Sequence, residues 1–422
     1  MSQPSVAVVG SGVSGLTAAY LLRRTHRVTL FEIDDRLGGH AHTHDVTDSN
    51  GAAHLVDSGF IVHNDRTYPY LRRLFAELGV ETTPTEMSMS IHCDGCGLEY
   101  AGGRGPAGVF AQARRAADPR FLRMLLQVRR FQRLAAAFLV DGATDPDLTT
   151  YGDFLRIHGF SGYFIHHYAV PIVSCVWSSG HETALDYPAA YLFRFLQHHG
   201  FLQLSGSPQW YTVSGGSRAY VSRVADAVGD VRTNTGITAI TRKPDGVHLR
   251  DSGGAMHTAD KVVVATHADD ALGLLTDPSA QEREVLGAFG YSRNETVLHT
   301  DGRLLPGAPR ARASWNYLMD SCDDGADRCV VSYWMNRLQG HASPEELVVT
   351  LNATERIDQS QVRATMVYTH PVYTPESVAA QSRLAGLADD RTVYAGAYHG
   401  WGFHEDGCRS GVEAAKAFGA DW

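Results

Sequence analysis

Between Ser5 and Gly39 the chain reads SVAVVGSGVSGLTAAYLLRRTHRVTLFEIDDRLGG, and no other stretch restricts the possible folds as much. Val6 to Val9 is a short apolar run of the kind that forms a strand buried on both faces. Gly10, Gly12 and Gly15 follow with G-x-G-x-x-G spacing. A helical pattern then runs through Leu16, Ala19, Tyr20 and Leu22, and a second apolar run, Val28 to Phe31, ends at Glu32. Strand, glycine turn, helix, strand and acid in that order specify a βαβ dinucleotide-binding unit. Gly10 permits the tight turn, Gly12 lets backbone approach a pyrophosphate, and Gly15 lets helix and strand pack closely. The helix opens at Val13 and Ser14, where free N–H groups and the positive dipole end suit phosphates. Glu32 is placed to accept from ribose hydroxyls.

The residues after Glu32 narrow the nucleotide. Arg36, Gly38 and Gly39 give E-x-x-x-R-x-G-G, which resembles the flavin amine oxidase and phytoene desaturase superfamily. The resemblance implies FAD, with Arg36 and the glycines continuing the wrap around its phosphates. His40 stands where relatives usually have a basic residue. VDSGF resembles the segment beside the flavin ring and assigns Ser58, Gly59 and Phe60 to it. VSGGSRAYVSRVADAV resembles the glycine pair that opens a mid-chain helix. Ile237 sits where relatives contact adenine through backbone groups. DKVVVATHADDAL reads as a buried strand ending in a turn, with His267 in place of a proline. Near the other end, YAGAYHGWGFHEDGCRSG resembles the C-terminal flavin motif: a strand to Ala395, a turn at Gly396, and a helix expected from Ser410 to Phe418. Ala397 replaces the acid that usually holds the ribitol. Phe403, His404 and Glu405 complete the expected cofactor wall. His404, Glu405 and His399 are the candidate catalytic, proton-handling groups, and Tyr398, Trp401 and Phe403 are expected to pack on flavin or substrate.

Longer strings, among them DSGFIVHNDRTYP, VSCVWSS, YWMNRLQG and GAYHGWGFHEDGCRSG, resemble a bacterial group of FAD-dependent oxidoreductases often encoded beside cyclopropane-fatty-acyl-phospholipid synthases. The expected fold class is α/β: a Rossmann-like FAD-binding domain of the amine oxidase type with an inserted substrate domain of mixed sheet and helices. The FAD domain is expected at 1–85, 206–274 and 386–422, and the substrate domain at 86–205 and 275–385, with a helical subdomain near 105–200. The activity this resemblance implies is dehydrogenation (desaturation) of an apolar lipid or fatty acyl chain by hydride transfer to flavin N5. The alternatives are oxidation of a polyene, porphyrinogen or amine, and double-bond isomerisation. Lysine occurs only at Lys243, Lys261 and Lys416, none in an expected substrate wall, which weighs against lysine-assisted amine oxidation. A single nucleotide fingerprint leaves no dedicated NADPH domain.

The pattern DPRFLRMLLQVRRFQRLAAAFLV predicts an amphipathic helix near 119–140. Phe121, Met124, Leu125, Val128 and Phe131 share one face, and Arg120, Arg123, Arg129, Arg130 and Arg133 occupy the other. A helix of this kind suits peripheral contact with an anionic membrane. The net charge of −9 argues against nucleic-acid binding. The start of the chain shows no secretory leader, no apolar run is long enough to span a bilayer, and the six cysteines are scattered, so the expected location is cytoplasmic. Nothing in the pattern specifies an oligomeric state. CDGC at Cys93–Cys96 predicts a hairpin turning at Asp94–Gly95. A redox pair, or a zinc site with Cys322 and Cys329, is an alternative for it, and a metal set of His40, His42 and His44 is another. Neither is preferred, and no metal site is expected. The pairs His166–His167 and His198–His199 read as helix-surface residues. Aromatics across the insertions, including Trp177, Phe195, Trp210, Trp315 and Tyr333, suit either an apolar tunnel or core packing.

Overall fold

The structure, a computed structural model, describes residues 3–141, 149–202, 207–322 and 329–422. The expected boundary at 205/206 lies outside the described residues. Strand β1 (Ser5–Val9) leads into helix α1 (Val13–Leu22), and β2 (Arg27–Phe31) returns beside β1. Helix α2 (Pro69–Leu78) follows. A hairpin of β3 (Met89–Cys93) and β4 (Leu98–Gly102) opens a helical stretch that includes α3 (Pro119–Asp141), α4 (Val170–Trp177) and α5 (Ala189–His198). The chain next supplies β5 (Val231–Arg232) and β6 (Lys261–Val264). Five strands come after: β7 (Gly290–His299), β8 (Trp315–Met319), β9 (Val330–Trp334), β10 (Val348–Leu351) and β11 (Val362–Val372). Strand β12 (Thr392–Tyr394) and helix α6 (His404–Ala417) close the fold.

Two sheets organise these elements. A five-stranded parallel sheet has the order β5-β2-β1-β6-β12, the doubly wound arrangement that an N-terminal βαβ unit predicts. A seven-stranded sheet has the order β11-β7-β10-β9-β8-β3-β4 and is antiparallel except where β3 runs parallel to β8. Fold class therefore matches the sequence expectation. Val8, Leu30 and Val264 are fully buried, as the apolar runs require of strands covered on both faces.

Every residue of α1 is buried, because α1 packs against α6 on one side and the parallel sheet on the other. Small residues make that contact close. A Cβ at Gly411 would fall 2.4 Å from the Ser14 carbonyl oxygen, and one at Gly407 2.6 Å from a Val13 methyl. The pairing of 407 with 13 and of 411 with 14 makes the helices parallel, with both N-termini at one end. Helix α6 begins at His404, six residues before the expected Ser410. The Asp406 carboxylate accepts from the Phe403 amide at 3.1 Å, so an acid in the first turn starts the helix early.

Helix α3 buries the predicted face: Phe121, Met124 and Phe131 are in the core, while Arg120, Arg123, Arg129 and Arg133 are exposed. Arg130 instead donates to the His158 carbonyl and lies over the Phe160 ring. No helix among the described residues is long and apolar enough to cross a membrane.

Candidate active site

A single cavity of about 710 Å³ runs from the end of β2 to the aromatic side of the seven-stranded sheet. Its first part is backbone. Gly10, Ser11, Gly12, Val13 and Ser14 line it at the mouth of α1. Gly12 caps that helix with no side-chain hydrogen bond, so the first N–H groups remain for an anion. Gly10 takes φ +98°, and a Cβ there would sit 2.7 Å from the Ala265 carbonyl oxygen. A Cβ at Gly15 would sit 1.9 Å from the Gly10 carbonyl oxygen, so this glycine serves packing and does not line the cavity. Beyond Gly12 nothing lies within 4 Å of an added Cβ, which is the open approach a pyrophosphate needs. Glu32 lines the cavity at the end of β2. It accepts from the Ser11 amide (2.9 Å) and hydroxyl and from the Asp34 amide (3.0 Å), which fixes its carboxylate at the rim. Ile237 borders the same end.

Arg36 donates to the Gly39 carbonyl at 2.8 Å and braces a turn in which Gly38 and Gly39 have φ +108° and +55°. That turn lays Gly39 against Gly12. Gly39 and His40 line the cavity, whereas Arg36 and Gly38 stand behind it. These features form a cradle for a dinucleotide: a glycine floor, an uncapped helix mouth and an anchored acid. The donor set therefore fits FAD.

Ser58, Gly59, Phe60, Gly396, Ala397 and His404 line the middle of the cavity. The His404 ring stacks on Phe60 with centroids 3.8 Å apart, and its Nε2 lies 3.2 Å from the Tyr220 hydroxyl. Burial lowers its pKa to about 3, so the ring is neutral at ordinary pH. Glu405 does not line the cavity. Its carboxylate accepts from the Tyr70 and Leu71 amides at 2.9 Å each, at the head of α2. Burial raises its pKa to about 7 against the pull of those two amides. His399 is also off the cavity lining, half-buried beside Arg409, with its pKa lowered to about 4 chiefly by loss of solvent around the ring. Of the three expected catalytic groups, only His404 faces the cavity.

Rings from distant segments surround His40. Tyr368 and His370 from β11 and His267 lie with centroids 5.0, 5.5 and 6.2 Å from the His40 ring, and all line the cavity. His40 Nε2 has no hydrogen-bond partner among the described residues. Burial, then the neighbouring His370, His267 and His404, hold this ring well below the usual histidine range. His42 and His44 do share a face, with rings 3.9 Å apart, but neither lines the cavity. No motif marks Tyr368 or His370, because they are alternate residues of a strand over 300 residues from His40.

The far arm of the cavity is aromatic. Trp177, Phe195, Trp210, Trp315, Tyr333 and Phe403 line it. Among the described residues no lysine or arginine lines the cavity, and its carboxylates, Glu32, Asp269 and Asp270, are not in this arm. Tyr398 faces the cavity too, whereas Trp401 packs on Phe195 and His198 and gives its carbonyl to the Trp177 indole at 3.0 Å. The expectation of surface histidines fails at two positions. His199 is buried, its Nδ1 3.0 Å from the Phe195 carbonyl and its ring between Trp210 and Phe403. His167 is fully buried beside Cys96, where a short π-turn rotates it inward.

The sequence profile of flavin containing amine oxidoreductases matches residues 13–354. The chain belongs to that family. It is accordingly an FAD-dependent oxidoreductase. Solved structures share the fold over their whole length. A CLA-producing fatty acid isomerase from P. acnes has a TM-score of 0.69 at 18% identity and covers 100% of both chains. Cyclohexylamine oxidase from Brevibacterium oxydans IH-35A has a TM-score of 0.67 at 18% identity over 99% of both. Putrescine oxidase bound to putrescine has a TM-score of 0.66 at 14% identity over 98% of both.

Proposed function

We propose that this enzyme oxidises an apolar acyl chain drawn from lipid. The observation that carries the reading is the far arm of the cavity: six aromatic side chains and, among the described residues, no charged group. An ammonium substrate would lose its hydration there with no counter-charge, whereas a hydrocarbon chain gains about 25 cal/mol for each Å² it buries. None of the three lysines lines the cavity, which supports the same choice. In this reading FAD is held by Gly10 to Ser14, Glu32, Gly39, Ile237 and the mouth of α6. Bound FAD supplies an acceptor for a hydride from carbon. Phe60 and His404 fix the wall around that point, and the aromatic arm excludes water and aligns the chain. His40 has a nitrogen free to meet a polar atom of the cofactor or substrate.

The histidines give a second reading some weight. Net desaturation releases a proton as well as a hydride, and burial makes His40 and His404 poor at keeping a proton. A double-bond isomerase that returns its hydride needs no net proton acceptor, and one structure of the same fold is a fatty acid isomerase. The deciding experiment is an anaerobic titration of the holoenzyme with unsaturated phospholipid, followed by product analysis. Loss of the oxidised flavin spectrum with a new double bond supports desaturation. An unchanged spectrum with a moved double bond identifies the isomerase. Reduction by an amine but not by lipid would overturn both.

Delivery from a bilayer is part of the proposal. At 100° per residue, Leu122, Leu126, Arg129, Arg133 and Val140 form one outer stripe of α3, with Leu126 68% and Val140 81% exposed. We assign this stripe to the surface of an anionic bilayer. Vesicle flotation of the Arg129→Glu, Arg133→Glu variant should show lost binding, and binding at the wild-type level would refute the assignment.

A further inference from the structure

Four chemistry-bearing side chains outside the flavin cavity meet at one point. Cys93 ends β3, Cys96 lies in the hairpin before β4, His167 sits in the π-turn Ile165–Ala169 before α4, and Cys322 follows β8. Their ligand atoms all lie within 4.8 Å of one another. We propose that Cys93, Cys96, His167 and Cys322 bind a structural zinc ion.

The distances match the ion. Tetrahedral zinc with Zn–S of about 2.3 Å and Zn–N of about 2.0 Å separates two sulfurs by about 3.8 Å and a sulfur from an imidazole nitrogen by about 3.5 Å. Cys93 Sγ and Cys322 Sγ are 3.8 Å apart, and Cys96 Sγ and His167 Nε2 are 3.6 Å apart. A disulfide needs about 2.05 Å between sulfurs, far shorter than the 3.8 Å between Cys93 and Cys322. The surroundings prepare each ligand. His167 Nδ1 lies 3.0 Å from the Tyr163 carbonyl, which sets the tautomer with the Nε2 lone pair facing the sulfurs. The Tyr163 ring stacks on His167 at 4.2 Å, and the Tyr100 hydroxyl donates to the His167 carbonyl at 2.7 Å.

Within C-D-G-C, the Cys96 amide faces the Cys93 sulfur and the Leu98 amide faces the Cys96 sulfur. Amide-to-sulfur bonds of this kind stabilise thiolates. Gly95 is required because a Cβ there would lie 2.9 Å from the Ser321 Cα and 3.0 Å from the Cys322 nitrogen. Glycine thus admits the third cysteine. Cys329, the other candidate partner in the sequence, lies elsewhere with its sulfur toward the Ser174 carbonyl, and His167 takes the fourth position.

Four protein ligands close the coordination sphere, so the ion has a structural role. It would join the β3–β4 hairpin, the loop after β8 and the root of α4. The far end of α4 carries Val176 and Trp177, which wall the flavin cavity. The test is elemental analysis of the holoenzyme purified from zinc-supplemented cells. One zinc per chain is expected, released only when a mercurial thiol reagent is added. Protein grown on cobalt should show intense ligand-field bands to the red of the flavin spectrum. Cys322→Ser should lose the metal and Cys329→Ser should keep it. Should Cys322→Ser fail to fold, the wild-type metal content and cobalt spectrum still decide. Metal-free protein with reactive thiols, a Cys93–Cys322 disulfide detected by mass, or another metal in stoichiometric amount would overturn the proposal.

Discussion

Glu405 offers a test of how the C-terminal segment is held. Its carboxylate is buried against the first turn of α2, and its pKa rises from 4.5 to about 7, first because burial disfavours the charge. A folded pKa above the unfolded value means that the native state binds the proton more tightly. The stability from that proton is complete below pH 4.5 and is lost as the pH rises through 7. At about 1.4 kcal/mol for each tenfold in proton affinity, ionising Glu405 costs about 3 kcal/mol. Glu405→Gln resembles the protonated acid and removes the titration. Unfolding entropy of about 2.1 cal/mol/K per residue gives the 422-residue chain about 1 °C per kcal/mol. The variant-minus-wild-type difference in Tm should therefore rise by about 3 °C between pH 4.5 and pH 8. The difference matters more than either curve. Asp57 and Asp406 are also raised to about 6 by burial and titrate in the same sense. His404 and His370 are lowered to about 3 and 4 by burial, and their stability is lost instead as the pH falls through 6.5. Scanning calorimetry of both proteins across that range supplies the measurement. Parallel curves would refute the account of Glu405.

The two middle glycines should fail in different ways. Gly15→Ala drives a Cβ into the Gly10 carbonyl, so it should lower apoprotein stability by about 1–3 kcal/mol or more as well as remove FAD. Gly12→Ala meets nothing within 4 Å in the protein, so the apoprotein Tm should hold while the flavin-to-protein absorbance ratio of the purified enzyme falls. His404 should remain a neutral imidazole at pH 5, seen as nitrogen shifts in labelled-histidine NMR, and an imidazolium signal there would contradict its burial beside Phe60. Phe195→Lys should abolish turnover of an acyl chain while leaving bound FAD in place, since Phe195 lines only the aromatic arm.

What the sequence made legible is local. Gly10, Gly12, Gly15 and Glu32 lie within one strand-helix-strand unit, so their spacing alone dictates a cradle, and the structure builds it. The period of α3 likewise identified the buried face, because one helix obeys one period whatever packs against it. What stayed illegible depends on contacts between distant segments. Glu405 looks like a cofactor ligand beside Gly396, yet two amides of α2 from far up the chain hold its carboxylate. His167 looks like half of an exposed pair until a π-turn rotates it toward Cys96 from a separate hairpin. Tyr368 and His370 reach His40 only because β11 sits at the edge of the large sheet. The same division governs the chemistry. Phosphate recognition uses backbone groups in a fixed local shape, so it leaves a motif. Substrate selection and protonation state depend on which side chains burial brings together, and a ring such as His404 is made neutral by the walls around it rather than by its sequence neighbours.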